Sequence, residues 1–236
     1  MNIILLSPQE IACDSTVTIS DSRRLDHITR IHQAQIGDSL KIGVEGGLMG
    51  RGEITHISPD AVRLHCKLTE PPPSPLPITL LLGLPRPKML KRILQSATVL
   101  GVKNIYLINS YRVEKSYWQT PFLSEKAIRE QLVLGLEQGC DTVLPQVHLV
   151  KRFKPFVEDE LPNIAANTLA LVAHPYTPQE CPRAPQQPIT LAIGPEGGFI
   201  QYEIDLLEKA GFQAITLGSR ILKVETAVPF LLSRLT

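Results

Sequence analysis

Cysteine is scarce: the four thiols, Cys13, Cys66, Cys140 and Cys181, lie far apart in 236 residues with no C-x-x-C pair. That spacing excludes a disulfide scaffold and a cysteine-based zinc site, and it fits reduced thiols in a cytoplasm. The histidines His27, His32, His56, His65, His148 and His174 show no metal-ligand spacing, so no metal is expected. No Ser-His-Asp or Cys-His arrangement is legible, and neither G-x-G-x-x-G nor G-x-x-x-x-G-K-[ST] occurs. Long apolar runs are missing, since none approaches the roughly 20 residues of a membrane helix. The apolar start at residues 3–6 has no basic flank and is halted by Ser7-Pro8, so it reads as a strand and not a signal peptide. Aromatics make up only 5 %, and neither sign of charge dominates, with 24 Lys or Arg against 23 Asp or Glu and a net charge of +1. By itself that balance argues against a nucleic-acid partner.

What is present is ample apolar material, 43 % of residues, with 20 % charged, enough for one or two substantial cores. The proline-rich segment 71–77 excludes helix interior and central strand and divides the chain into residues 1–70 and 78–236. In the first part, residues 16–19, 39–44, 49–57 and 61–68 read as short strands, with Glu45-Gly46-Gly47 as a turn. One helix interrupts them, capped by Ser20 or Asp21, with Leu25, Ile28 and Ile31 on one face and Gly37-Asp38 beyond its end. A small β-barrel with one helix is the expected result.

Beyond the prolines, apolar strands alternate with amphipathic helices, the pattern of a mostly parallel α/β sheet covered on both faces. Strands are predicted at 78–82, 104–108, 146–150, 168–173, 190–193 and 214–216. A helix at 87–100 places Met89, Ile93, Ala97 and Leu100 on one stripe and stops at Gly101. Another, at 124–138, buries Ile128, Leu132 and Leu136 and stops at Gly139. Residues 175–188, with five prolines, read as a surface loop. The charge is uneven along the chain: residues 86–154 hold 12 basic and 5 acidic residues, +7, flanked by acidic segments. Such a stretch is either a solvated helical face or a footprint for a phosphate backbone. On the second reading Arg86, Lys88, Lys91, Arg92, Arg112 and Lys115 share one basic surface.

Two glycine turns carry the strongest chemical signal. The first is Ile-Gly-Pro-Glu-Gly-Gly-Phe at 193–199, where a buried strand runs into a turn and a helix at 201–210. A turn of that kind lets backbone approach a ligand at the carboxyl end of a strand. The second is Leu-Gly-Ser-Arg-Ile-Leu-Lys-Val-Glu-Thr-Ala at 217–227, with Arg220 in the loop and Glu225 and Thr226 in the first turn of the final helix. Each taken alone is also readable as a structural turn, Glu225 complementing the helix dipole and Thr226 capping it. Trp118, Tyr117 and Phe122 read as a hydrophobic anchor for their loop or as base-stacking rings.

Together these motifs resemble the 16S ribosomal RNA uridine N3-methyltransferases of the SPOUT superfamily, over nearly the whole chain. The resemblance implies a PUA-like RNA-binding barrel at 1–70, a linker at 71–77, and at 78–236 a SPOUT methyltransferase domain of parallel α/β sheet with a deep trefoil knot at its carboxyl end. It implies S-adenosylmethionine held in the knot by Leu171 and Ala173, by Gly194, Glu196 and Gly197, and by Leu217, Gly218, Ile221, Leu222 and Thr226. It also implies a homodimer and a ribosomal RNA partner within the small ribosomal subunit. Arg220 is then the candidate for stabilising charge on the uracil oxygens, with Glu225 or Glu196 as proton acceptor or orienting group. Arg86, Lys88, Arg92 and Arg112 are candidate RNA contacts. The chain departs from the family pattern at His32, Val99, Tyr111, Asp141 and Lys223. A knotted RNA-binding protein without catalysis, and a methyltransferase acting on another RNA target, are the alternatives.

Overall fold

The computed structural model describes residues 1–236. The chain folds as two units, Met1–Ser74 with Val133–Leu144, and Pro75–Leu132 with Pro145–Thr236.

In the first unit, β1 (Ile4–Leu6), β2 (Thr16–Ile19), β3 (Ser39–Val44), β4 (Met49–Ile57) and β5 (Val62–Glu70) form one sheet in the order β1-β3-β4-β5-β2. β1 runs parallel to β3, and the remaining pairs are antiparallel. Along β5, Val62, Leu64 and Cys66 are buried while Arg63, His65 and Lys67 are exposed, the period of two that a one-sided core imposes. The inward residues meet Ile4, Leu6, Ile19, Ile28, Ile42 and Ile54 in the core. Asp21 caps α1 (Ser22–Asp26) by accepting from the Arg24 amide, as predicted. The chain then widens into a π turn over His27–Ile31, closed by His32 N–H donating to His27 O at 2.9 Å. The extra residue rotates Ile31 off the predicted face: Ile28 is buried, but Ile31 is 68 % exposed.

The segment Val133–Leu144 completes this unit. The Glu137 carboxylate is buried and accepts two hydrogen bonds from the Arg23 guanidinium, at 2.6 and 2.8 Å. Burial alone would penalise that charge, and the bidentate fork offsets the penalty while raising the Arg23 pKa. Gly46 N–H donates to Thr142 O, and the Thr142 hydroxyl to Gly47 O, which pins the β3–β4 turn.

The second unit holds six parallel strands, β6 (Ile78–Gly83), β7 (Asn104–Ile108), β8 (Gln146–Val150), β9 (Leu169–Ala173), β10 (Ile189–Ile193) and β11 (Gln213–Ile215). Their order is β11-β9-β10-β6-β7-β8. Every predicted strand is present within a residue or so of its expected bounds. All five residues of β10 are buried, as expected of a central strand covered on both faces. The helices of this unit are α2 (Pro87–Val99), the first part of α3 (Glu125–Gly139, whose residues from Val133 onward belong to the first unit), α4 (Phe153–Pro155) continuing through a π turn into α5 (Leu161–Ile164), α6 (Gln201–Lys209) and α7 (Val224–Arg234). The core joins Leu81, Ile108, Phe156, Val172, Ala192 and Leu207.

Two helix details differ from expectation. In α2 the buried stripe is Leu90, Ile93, Leu94, Ala97 and Thr98, while Met89 is half-buried and Leu100 exposed. The helix ends at Val99, so Leu100 lies past its last turn, and Leu90 with Leu94 outcompetes Met89 for the inner face. α3 buries Ile128, Leu132 and Leu136 as predicted, but Gly139 remains helical and Cys140 takes the left-handed conformation at φ 55°. The Asp141 N–H donating to Leu136 O stabilises that termination. The proline-rich loop 175–188 contains no helix or strand, yet Cys181 is buried and its N–H donates to Thr216 O. No helix is long and apolar enough to cross a membrane.

Candidate active site

Ala173, Ile193 and Ile215 end β9, β10 and β11, and all three line a cavity of about 320 Å³. Carboxyl ends of parallel strands are where open α/β sheets present ligand sites. The turn at 194–199 supplies one wall, and Leu217, Arg220, Ile221 and Leu222 supply another, closed by Val224, Ala227 and Leu231 of α7. The two glycine turns, 20 residues apart in sequence, therefore face the same space.

The first turn is tied to its surroundings by contacts that require its residues. A Cβ on Gly194 would lie 2.8 Å from Phe199 N, so the chain folds back on itself only with glycine there. A Cβ on Gly197 would meet Arg112 Cδ at 2.9 Å. The Arg112 guanidinium in turn donates to Gly197 O. The Glu196 carboxylate accepts the Arg86 N–H at 2.9 Å, satisfying a free backbone donor at the start of α2.

Glu203 was not among the residues that the motifs single out, and it organises this region. Its carboxylate is 3 % exposed and accepts Ile200 N–H at 3.0 Å and Tyr111 N–H at 2.7 Å. One oxygen thus caps α6 while the other anchors the loop that carries Arg112. The signal available in the sequence was a glutamate at the third position of a helix following a glycine turn. His174, which follows β9 directly, also lines the cavity, and its ring meets Tyr176 edge-to-face at 5.7 Å. Burial holds the His174 pKa below its usual value, against the opposing charge of Glu208.

Of the predicted cofactor residues, Ala173, Gly194, Glu196, Gly197, Leu217, Ile221 and Leu222 line the cavity, as does Arg220. Leu171 lies two residues deeper in β9 and is buried in the sheet. Gly218, at φ 106°, sits in the second turn without forming part of the wall, and Thr226 is exposed in the first turn of α7. Glu225 is half-buried there, also outside the wall. Arg112 is on the cavity rim, Arg86 precedes α2, and Lys88 and Arg92 are exposed one helical turn apart on it. Lys91 instead places its ammonium 3.7 Å from the centre of the Phe122 ring, and Trp118 donates to Asn109 Oδ1, so both rings serve to anchor their loop. Among the departures from the family pattern, Tyr111 is 79 % exposed, Val99 is exposed and Asp141 is buried.

The model of the RNA methyltransferase domain family matches residues 72–236. The chain belongs to this family. The matched residues include both glycine turns and the whole cavity wall, so the cavity is a feature of the RNA methyltransferase domain itself. The chain is 27 % identical over 232 residues to ribosomal RNA small subunit methyltransferase E of Treponema pallidum, an alignment spanning 96 % of this chain and 87 % of that protein. It is 33 % identical over 159 residues to the enzyme of the same name from Mesomycoplasma hyopneumoniae, spanning 66 % and 68 %. In fold, it is similar to the crystal structure of ribosomal RNA small subunit methyltransferase E from Neisseria gonorrhoeae bound to S-adenosyl methionine. That similarity has a TM-score of 0.76 at 22 % identity over 99 % of this chain and 95 % of that one.

Proposed function

We propose that this protein methylates N3 of a uracil in 16S ribosomal RNA with S-adenosylmethionine as donor. The observation that carries the reading is the convergence of both glycine turns on one cavity in an RNA methyltransferase domain. The cavity suits that cofactor. Backbone of a turn in which Gly194 and Gly197 leave no room for a side chain forms one wall, and Ile193, Leu217, Leu222 and Leu231 offer apolar cover for a flat ring. When bound, the cofactor supplies an electrophilic methyl group.

The chain's own residues then have three tasks. A uracil lifted from its stack must be aligned beside the cavity, and Arg220, exposed in the second turn, is placed to hold its oxygens. The N3 proton must leave, and the charge spreading onto those oxygens is favoured by the same fixed guanidinium. Glu196 lines the cavity and Glu225 does not, which favours Glu196 as acceptor. Its Oε1 is engaged by the Arg86 N–H, leaving Oε2 to take the proton. Arg86, Lys88, Arg92 and Arg112 would contact RNA phosphates around the rim.

The remaining expectations of the family belong to the same reading: a PUA-like RNA-binding barrel at 1–70, a linker at 71–77, a knotted methyltransferase domain, a cytoplasmic homodimer, and the small ribosomal subunit as setting. A strand order in which β10 is inserted between β9 and the earlier β6, with β11 returning to pair with β9, is compatible with the knot.

Mass mapping of modified nucleosides in 16S ribosomal RNA from a strain lacking the gene tests the proposal. Loss of one 3-methyluridine, restored by the wild-type gene but not by Arg220→Ala, is the expected outcome. Unchanged modification, or no binding of S-adenosylmethionine at millimolar concentration, would sink it.

A further inference from the structure

The six-stranded sheet ends at β8, whose outer edge has no strand beside it. Gln146 N–H donates to Lys103 O and Val150 O accepts from Asn109 N–H, so the even-numbered residues of β8 turn their backbone groups toward β7. Those of Val147 and Leu149 therefore point outward, and β8 itself carries no charged residue to protect the edge. An open groove of about 770 Å³ runs along this edge, bounded by the turn and helix at 155–164.

Two rings form the base of the groove. Tyr106 and His148 are register partners on β7 and β8, and their rings stack with centroids 4.5 Å apart and planes 20° from parallel. That spacing is close to the distance between neighbouring strands, so the stack climbs outward strand by strand and His148 is its last member. Phe156 flanks the inner ring at 5.7 Å. Lys151 and Arg152, both exposed, follow β8 directly at one end. Asp159, Glu160 and Asn163, from the segment 155–164 that bounds the groove, also line it. Burial, and next the charge of Glu160, holds the Tyr106 phenol above its usual pKa, consistent with a carboxylate close to the stack.

We propose that this groove binds an unpaired nucleotide of single-stranded RNA, its base stacked on His148, its phosphate against Lys151 and Arg152, and its exocyclic amino group donating to Glu160 or Asn163. A flat ring laid against His148 continues the stack, and histidine is among the side chains on which bases stack. The carboxylates repel a phosphate from their wall, which fixes the nucleotide's polarity. They also disfavour uracil, the one RNA base without an exocyclic amino group to donate. The basic residues involved close the +7 segment at 86–154, which the cavity rim only partly uses. The inference rests on the RNA-methylating reading and adds a second contact, since β6 and β7 lie between β8 and the strands β9, β10 and β11 whose ends line the cofactor cavity.

Fluorescence anisotropy of labelled octanucleotides with the full chain at low salt tests this. Oligo(A) and oligo(C) should bind more tightly than oligo(U). His148→Ala should weaken oligo(A) at least about fivefold, and the Lys151→Ala, Arg152→Ala double variant should flatten the salt dependence by one to two phosphates, a log–log slope change of about 0.7 each. Unlabelled AMP should compete at high concentration if the site recognises one nucleotide. S-adenosylmethionine affinity should stay at the wild-type value in both variants, which also reports that the domain is folded. Unchanged oligonucleotide affinity in both variants with intact cofactor binding, or oligo(U) binding as tightly as oligo(A), would overturn the proposal. Either result leaves the methyltransferase reading standing. Absence of cofactor binding in the wild-type protein would instead bring down that reading.

Discussion

Replacing Glu203 by alanine should loosen the active-site rim by a predictable amount. The carboxylate is almost fully buried and satisfies two backbone donors, Ile200 N–H and Tyr111 N–H. Leaving a buried donor without a partner costs about 1–3 kcal/mol, and because both hydrogen bonds are only partly buried the lower end applies to each. Relief from burying a carboxylate offsets part of that sum, so a net loss of about 1–2 kcal/mol is expected for this region. Glu203→Gln keeps one acceptor oxygen and should lose about half as much. Because the chain contains two units, a single unfolding transition is a poor measure, and amide hydrogen exchange at Tyr111 is the direct one. Its exchange should accelerate roughly 5- to 30-fold in Glu203→Ala, the factor corresponding to that free energy. Arg112 follows Tyr111 and bonds Gly197 O, so cofactor affinity should fall in step. A Tyr111 amide that exchanges within threefold of wild type would refute the assignment of Glu203 as the anchor of this loop.

Two further outcomes follow from the same geometry. Gly218→Val forces a β-branched residue into φ 106°, and Gly197→Val drives side chain into Arg112; each should abolish cofactor binding by calorimetry while circular dichroism stays native. His174 has a depressed folded pKa, caused first by burial, so the unfolded chain binds its proton more readily. Its contribution to stability is therefore complete above the unfolded value of about 6.5 and is lost as pH falls through the lower folded one. NMR titration of the ring should give a midpoint below 6.5, and His174→Gln should remove that part of the acid-side loss measured by denaturant unfolding.

The elements of this protein are written plainly in its sequence. The short run at 190–193, bounded by prolines at 188 and 195, reads as a buried strand, and the prolines at 71–77 read as a break, because both follow from backbone chemistry within a few residues. The glycine turns were equally legible, since the need for absent side chains leaves a compositional mark. Less legible were features that depend on a partner far along the chain. Ile31 carries the right spacing for a buried face, but a single π turn rotates it into solvent. Gly139 is the natural helix stop, yet Cys140 adopts the left-handed conformation where the chain turns.

The active-site rim shows the same division. Gly194, Gly197 and Arg220 announce themselves through their motifs. Glu203 does not, because its significance lies in the Tyr111 amide 92 residues away, a pairing that exists once β7 and β10 have taken their places in the sheet. The stack of Tyr106 on His148 likewise depends on the β7–β8 register. Backbone propensity, apolar patterning and glycine placement act over a few residues, so one chain read in order discloses them. Convergence of two turns on one cavity, and the charges that meet at its rim, depend on strand order, which long-range packing selects.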